Sequence, residues 1–366
     1  MRLKLAFYGS SLLSSYWNGA ATYYRGILKN LATHGWQITF YEPDAFDRQQ
    51  HKDLHPPHWA KSVVWSPTQA GLRDAVARAA DADVVVKASG VGVWDTELLE
   101  GVLDVVRPGA VPIFWDVDAP ATLAEMQSDL AHPVRRALSR IHSVFTYGGG
   151  PPVIDAYRAF GARRAHTIYN GLDPDTHFSV GAEKRFQSDL ALLANRLPDR
   201  EARIDTFFFD AARALPHRQF LLGGNGWADK DMPANVRKIG HVYVDEHNAL
   251  NCSALAILNV ARDSMATVGF SPATRVFEAA GAGACIITDA WEGVEQFFAP
   301  ESEILIARDG QDVAQLLQSL TPTRARRIGE AARRRALDEH TYGRRAAEVD
   351  TLLRRALAGQ SQQVPA

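Results

Sequence analysis

Short apolar runs alternate with longer segments of helical spacing almost from one end of the chain to the other. In the first half Leu3–Tyr8, Gln37–Tyr41, Asp83–Ala88, Val111–Trp115, Ser143–Tyr147 and Ala165–Ile168 read as strands. Between them Ala21–Ala32, Gly71–Ala80, Asp95–Val106 and Pro152–Phe160 place apolar residues at helical spacing. The stretch Glu42–Ser66, rich in His, Pro, Asp and Gln, reads as a long loop. Alternation of this kind predicts right-handed βαβ units and a parallel, doubly wound sheet.

The rhythm then restarts. Tyr169-Asn170-Gly171-Leu172-Asp173-Pro174 has the punctuation of a turn-rich connection. After it come strands Leu190–Leu193, Phe220–Leu222, Val236–Ile239, Leu255–Leu258, Cys285–Thr288 and Ile304–Ala307, with helical patterns at Glu201–Ala214, Pro272–Ala282 and Asp312–Leu320. The expectation is an α/β chain of two Rossmann-like domains, residues 1–172 and 183–338, joined near 170–182. Two helices follow, Thr323–Leu337 and Tyr342–Leu357. The second carries Ala346, Val349, Leu353 and Ala356–Leu357 as a stripe that needs a surface to cover it. The polar residues after Gly359 read as a frayed tail.

Composition narrows the partners. A chain of 366 residues is long enough for two cores. Its formal net charge of −2 gives no basic footprint, so no nucleic acid is expected as a partner. The two cysteines, Cys252 and Cys285, make neither a disulfide framework nor a CxxC metal site. No run approaches the roughly 20 apolar residues that span a bilayer. A soluble, cytoplasmic protein without a transmembrane segment is the expectation.

The segment Gly269-Phe270-Ser271-Pro272-Ala273-Thr274-Arg275-Val276-Phe277-Glu278 is the richest in chemistry. Ser271 before Pro272 reads as an N-cap with proline at the first helical position. Ser271, Arg275 and Glu278 then share one helix face, at i, i+4 and i+7. Helix amides and Arg275 suit a diphosphate. A carboxylate further along suits a ribose diol. A structural helix with an exposed Arg–Glu pair is the plain alternative.

With Thr288-Asp289-Ala290-Trp291-Glu292-Gly293-Val294-Glu295-Gln296-Phe297-Phe298, this segment resembles the C-terminal domain of CgeB-like (spore-maturation-type) glycosyltransferases, relatives of the large retaining GT-B families. The resemblance covers roughly residues 185–340. It extends more loosely to Phe114–Asp118 and Phe145–Gly150. It implies GT-B architecture: two Rossmann-like doubly wound domains facing across a cleft, the second holding a nucleotide-sugar donor, with a UDP-sugar as the expected one. It implies that Glu278 holds the donor ribose. It also implies that segment 339–366 crosses back to the N-terminal, acceptor-side domain. One departure stands out: the larger families carry a second glutamate eight positions before the first, and this chain has Phe270 there.

The same resemblance makes donor contacts of residues that follow successive strands: Asn195, Arg196 and Arg200; Gly224 and Asn225; His241 and Val242; Asn259 and Arg262. In the first domain, Trp17-Asn18-Gly19-Ala20-Ala21-Thr22 resembles the glycine-containing loop that approaches the donor, with Gly19, Ala20 and Thr22 at the helix mouth; a plain tight turn reads equally well. Asp116-Val117-Asp118 spells the D-x-D of a different, metal-dependent, single-domain architecture. Here Asp116 and Asp118 are candidates for a general base or for orienting the acceptor, with a turn-stabilising role as the alternative. No metal and no cofactor beyond the nucleotide-sugar co-substrate is expected. The acceptor is not legible. A non-hydrolysing nucleotide-sugar epimerase and a non-catalytic sugar- or nucleotide-binding protein use the same architecture and stay open.

Overall fold

The computed structural model describes residues 2–16 and 18–361. Trp17 and the tail beyond Ser361 lie outside the described residues. The chain divides into two compact units, one running to Tyr169 and resuming at Tyr342, the other Asn170–Thr341.

The first unit holds seven strands: β1 (Lys4–Tyr8), β2 (Gln37–Pro43), β3 (Ala60–Trp65), β4 (Val84–Ala88), β5 (Val111–Asp116), β6 (Ser143–Thr146) and β7 (Ala165–Thr167). They form one sheet in the order β3-β2-β1-β4-β5-β6-β7, with parallel pairing throughout. The expected loop Glu42–Ser66 therefore contains a strand. β3 escaped the sequence pattern because it is an edge strand, mostly half-buried or exposed, with Lys61 and Ser62 among its residues. Edge strands carry little of the continuous apolar signal of central ones.

The helix Tyr342–Ser361 belongs to this unit and lies along the helix Ala20–Thr33. Tyr342, Ala346, Val349 and Leu353 are buried in one core with Tyr24, Ile27, Phe40 and Trp115. The approach is close at Gly26, where a Cβ would sit 2.1 Å from the Tyr342 ring. Trp36 Nε1 donates to Asp350 at 2.7 Å, fixing the helix register.

The second unit holds β8 (Ser188–Leu193), β9 (Phe220–Gly223), β10 (Val236–Gly240), β11 (Ala254–Asn259), β12 (Ile286–Asp289) and β13 (Leu305–Ala307). Their order is β10-β9-β8-β11-β12-β13, again parallel. After β8 the helical segment begins at Pro198 and passes through a wide turn at Asp205–Phe209. Phe207, Phe208 and Phe209 are all buried in the same core. A regular helix turns roughly 100° per residue and cannot point three consecutive side chains inward; the widened turn lets it do so. Among the described residues, no helix is long and apolar enough to cross a membrane.

Candidate functional site

In the second sheet the strand sequence reverses direction between β8 and β11. Ligands of such sheets bind outside the carboxyl ends at that point. Asn195, Arg196 and Arg200 follow β8, Gly224 and Asn225 follow β9, and His241 and Val242 follow β10. Asn259 ends β11, Arg262 follows it, and Ser271, Arg275 and Glu278 lie between β11 and β12. The turns after β8, β9 and β10 are locked together by backbone. Gly224 has φ +119°, and a Cβ there would stand 2.1 Å from the Ala194 carbonyl oxygen, so only glycine fits. Its amide donates to Gly240 at 2.6 Å, and the Asn225 amide donates to Asn195 Oδ1 at 2.9 Å. Asn195 thus spends its side chain on the turn. Val242 is buried, while His241 and Tyr243 are exposed, their rings 4.6 Å apart.

The arginines divide into two groups. Arg196 donates to both Glu201 oxygens at 2.7 and 2.8 Å and to Asp229 at 3.0 Å. It is committed to two carboxylates, and the expectation that it serves phosphates is not what this geometry favours. Arg262 pairs with Asp199, and Arg203 pairs with Asp289 at 2.6 Å. Arg200 and Arg275, by contrast, form no ion pair among the described residues. Arg200 donates to the Asn195 carbonyl at 2.7 Å and leaves its buried Nε without a hydrogen-bond partner. Burial first, and then the like charge of Arg275, hold its pKa down to about 10. Arg275 is also pushed below the ordinary guanidinium value by burial, with Glu278 opposing the shift. Asn259 Oδ1 stands 3.5 Å from Arg275 Nη1, and Asn259 is itself anchored on Thr288 at 3.0 Å. Burial disfavours the charge of both half-buried arginines, and Arg275 adds its like charge against Arg200, so an anion would relieve the site.

The helix carrying Arg275 starts at Thr274, two residues later than the sequence pattern implied, with Ala273 as its extended N-cap. Ser271 is therefore not the cap, and its hydroxyl donates back to the Gly269 carbonyl at 2.8 Å. The reason lies in how the segment is tied. The Phe270 amide donates to Glu292 at 2.6 Å, with Phe270 at φ +47°, in the left-handed region. Asn170 donates to the Pro272 carbonyl at 3.0 Å and receives the Thr274 hydroxyl at 3.2 Å. These bonds hold the chain out of helical conformation through Pro272. Arg275 and Glu278 remain on one face as an i,i+3 pair.

Glu278 is half-buried and faces two histidines that the sequence reading missed. His177 Nε2 lies 3.8 Å from one of its oxygens and His247 Nδ1 lies 3.9 Å from the other. His177 comes from the connection before β8, and His247 begins the helix His247–Ser253. No local spacing joins positions so far apart in sequence; only the fold brings them to Glu278.

In the first unit the D-x-D residues behave differently from each other. Asp116 is wholly buried and accepts from Tyr157 Oη, from Ser89 Oγ at 2.7 Å and from the Asp118 amide at 2.9 Å. Burial raises its pKa, with those hydrogen bonds opposing. Its geometry is that of a carboxylate pinning the end of β5, the turn-stabilising alternative, and an acceptor cannot reach it. Asp118 is half-buried at the N-cap of the helix Ala119–Ser128. Gly19 is exposed at the N-cap of Ala20–Thr33, with nothing within 4 Å of an added Cβ, and Ala20 and Thr22 open that helix half-buried. Most of the aromatic cluster fills core: Trp115 Nε1 donates to Tyr23 Oη, which donates to the Ile168 carbonyl.

Comparison with known proteins fits this geometry. The family model of glycosyl transferase-like proteins matches residues 200–351. No curated protein matches the chain in sequence. Among solved structures, sucrose-phosphate synthase from Thermosynechococcus elongatus is similar over 98% of this chain and 100% of its own, with a TM-score of 0.71 and 14% identity. Anabaena HepE in complex with UDP and glucose is similar over 96% and 99%, with a TM-score of 0.67 and 12% identity. An alpha-glucosyltransferase in complex with UDP and a 13-mer DNA is similar over 96% and 100%, with a TM-score of 0.67 and 9% identity. The fold is that of the GT-B glycosyltransferases.

Proposed function

We propose that the protein is a glycosyltransferase that takes its sugar from a nucleoside diphosphate donor, a UDP-sugar, held at the carboxyl end of the second sheet. One observation carries this reading above the others: Arg200 and Arg275 are half-buried, the charge of Arg275 acts on Arg200, and neither has an ion-pair partner among the described residues. A diphosphate supplies the missing negative charge by charge-assisted hydrogen bonds. Glu278, one turn along the Arg275 helix, accepts hydroxyl hydrogens from the ribose. The base rests by buried Val242 and exposed Tyr243. The two named neighbours solved with UDP make uridine the first nucleotide to test.

In the transfer step the bond between the anomeric carbon and the diphosphate oxygen breaks, and negative charge grows on the leaving group. Arg200 and Arg275, already in place, stabilise that charge without reorganisation. No metal is assigned to this step. Phe270, standing where the larger families have a second glutamate, offers no carboxylate to the sugar. The narrower CgeB-like assignment rests on the segment from Gly269 to Phe298.

The test is incubation with UDP-glucose and related UDP-sugars, with and without a mixture of sugar and nucleoside acceptors. Release of UDP that depends on acceptor supports transfer. Conversion of the UDP-sugar to an epimer without acceptor would point to an epimerase instead, and tight binding with no turnover to a binding protein.

A further inference from the structure

We propose that His177, His247 and Glu278 form a binding site for a divalent transition-metal ion, zinc being the best match to two imidazoles and a carboxylate. Their donor atoms all lie within 4.8 Å of one another. Each ring has one nitrogen engaged and one free. Thr176 Oγ1 stands 2.9 Å from His177 Nδ1 and 3.2 Å from the Asp173 carbonyl oxygen, so the hydroxyl engages one nitrogen of the His177 ring. The other nitrogen, Nε2, faces Glu278 at 3.8 Å, and with the ring proton on Nδ1 it presents a lone pair there. His247 is hydrogen-bonded to the Val242 backbone, and its buried Nδ1 has no hydrogen-bond partner. That bond leaves Nδ1 as the lone-pair nitrogen, again facing Glu278.

Three side chains able to ligate a metal thus converge with no hydrogen bond between them. His177 is almost fully buried, with its side chain 1% exposed, and its Nε2 has no hydrogen-bond partner. Unpaired buried lone pairs cost free energy unless something electron-poor fills the space between them. The histidine–carboxylate distances, 3.8 and 3.9 Å, are too long for direct hydrogen bonds. They fit an ion between the groups at bond lengths of roughly 2.0–2.2 Å after a small inward rotation of the side chains. Each imidazole has its other nitrogen fixed by a hydroxyl or a carbonyl, the outer support that orients metal-binding histidines. Three protein ligands leave a fourth position for water.

The site does not depend on the donor reading, but the two share Glu278. If Glu278 also holds the ribose, ion and nucleotide compete. The metal then acts as an inhibitor of donor binding and takes no part in transfer.

The test uses full-length protein, freed of any histidine tag and stripped with chelator, titrated calorimetrically with zinc. Cobalt is titrated in parallel for its visible absorption. One ion per chain is expected, with a tetrahedral or five-coordinate cobalt spectrum. Glu278→Gln and His247→Asn should each weaken zinc binding at least about tenfold, the scale on which metal sites respond to altered partners. Circular dichroism melts identify a variant that fails to fold, and either one alone suffices. Absence of stoichiometric binding in the wild type, or equal affinity in folded variants, overturns the site. Repeating the zinc titration in saturating UDP separates the two readings. Weakened zinc binding supports both. Zinc binding that is Glu278-dependent yet indifferent to UDP keeps the metal site and removes the ribose assignment. Glu278-dependent UDP binding without any zinc binding does the reverse.

Discussion

The two units place carboxylates and cations at the carboxyl ends of similar parallel sheets, yet they treat them in opposite ways. Around Asp116 the carboxylate itself is fully engaged. Tyr157, Ser89 and the Asp118 amide all donate to it, and buried Lys87 is paired with Asp95. Glu42, also wholly buried, receives the Ser11 hydroxyl at 2.9 Å and the Leu12 amide at 2.5 Å. Around Arg275 the pairing is incomplete: Arg200 Nε, His177 Nε2 and His247 Nδ1 are buried without hydrogen-bond partners. A network satisfied from within stabilises the fold, whereas one left short of partners stabilises whatever ligand completes it. Equal-looking motifs in sequence thus separate into structure in one unit and binding in the other.

The largest expected effect breaks the satisfied side. Asp116→Ala leaves three donors unpaired and a hole in the core, and should cost about 3–5 kcal/mol of stability. UDP affinity of the folded fraction should stay unchanged; chemical denaturation and calorimetry measure the pair. The sign with pH is also fixed. Burial raises the Asp116 pKa, so its contribution is fully present below the unfolded carboxylate value of roughly 3.9 and is lost as pH rises through the folded value. Asp116→Asn should remove that part of the pH dependence, which unfolding midpoints across the acid range would show.

Next comes the open side. Arg275→Ala should slow transfer by about 10²–10³-fold, the usual loss on removing one group that stabilises a developing anion. Steady-state rates at saturating donor read this, and an unchanged rate would move the diphosphate elsewhere. Smaller still is Arg196→Ala. Its guanidinium is already neutralised by Glu201 and Asp229, so UDP affinity should barely change. A loss as large as that of Arg275→Ala would show that Arg196 leaves its carboxylates for the phosphates. The smallest effect is that of excess chelator, which should leave transfer intact or raise it slightly. Loss of activity restored by magnesium or manganese contradicts the metal-free step.

Much of the fold was legible because central parallel strands are continuous apolar runs and the helices between them keep a clear period. β3 was not, since an edge strand with Lys61 and Ser62 lacks that run. Ser271 was misplaced as a cap because the Ser-Pro pair signals a helix start, while the bonds to Asn170 and Glu292 that hold the segment out of the helix involve distant residues. Local spacing put Arg275 and Glu278 on one face, and the structure agrees. Local spacing could not choose between Arg196 and Arg200, because Arg196 is held by Asp229, beyond β9, as well as by nearby Glu201. His177 and His247 were invisible for the same reason.

The most direct test of the donor-site account is the affinity of UDP for the wild type and for Glu278→Gln, measured by calorimetry on chelator-treated protein of verified fold. The account predicts binding weakened by about 1.5–3 kcal/mol, the value of a hydrogen bond to a charged group. Equal affinity in the two proteins would contradict it.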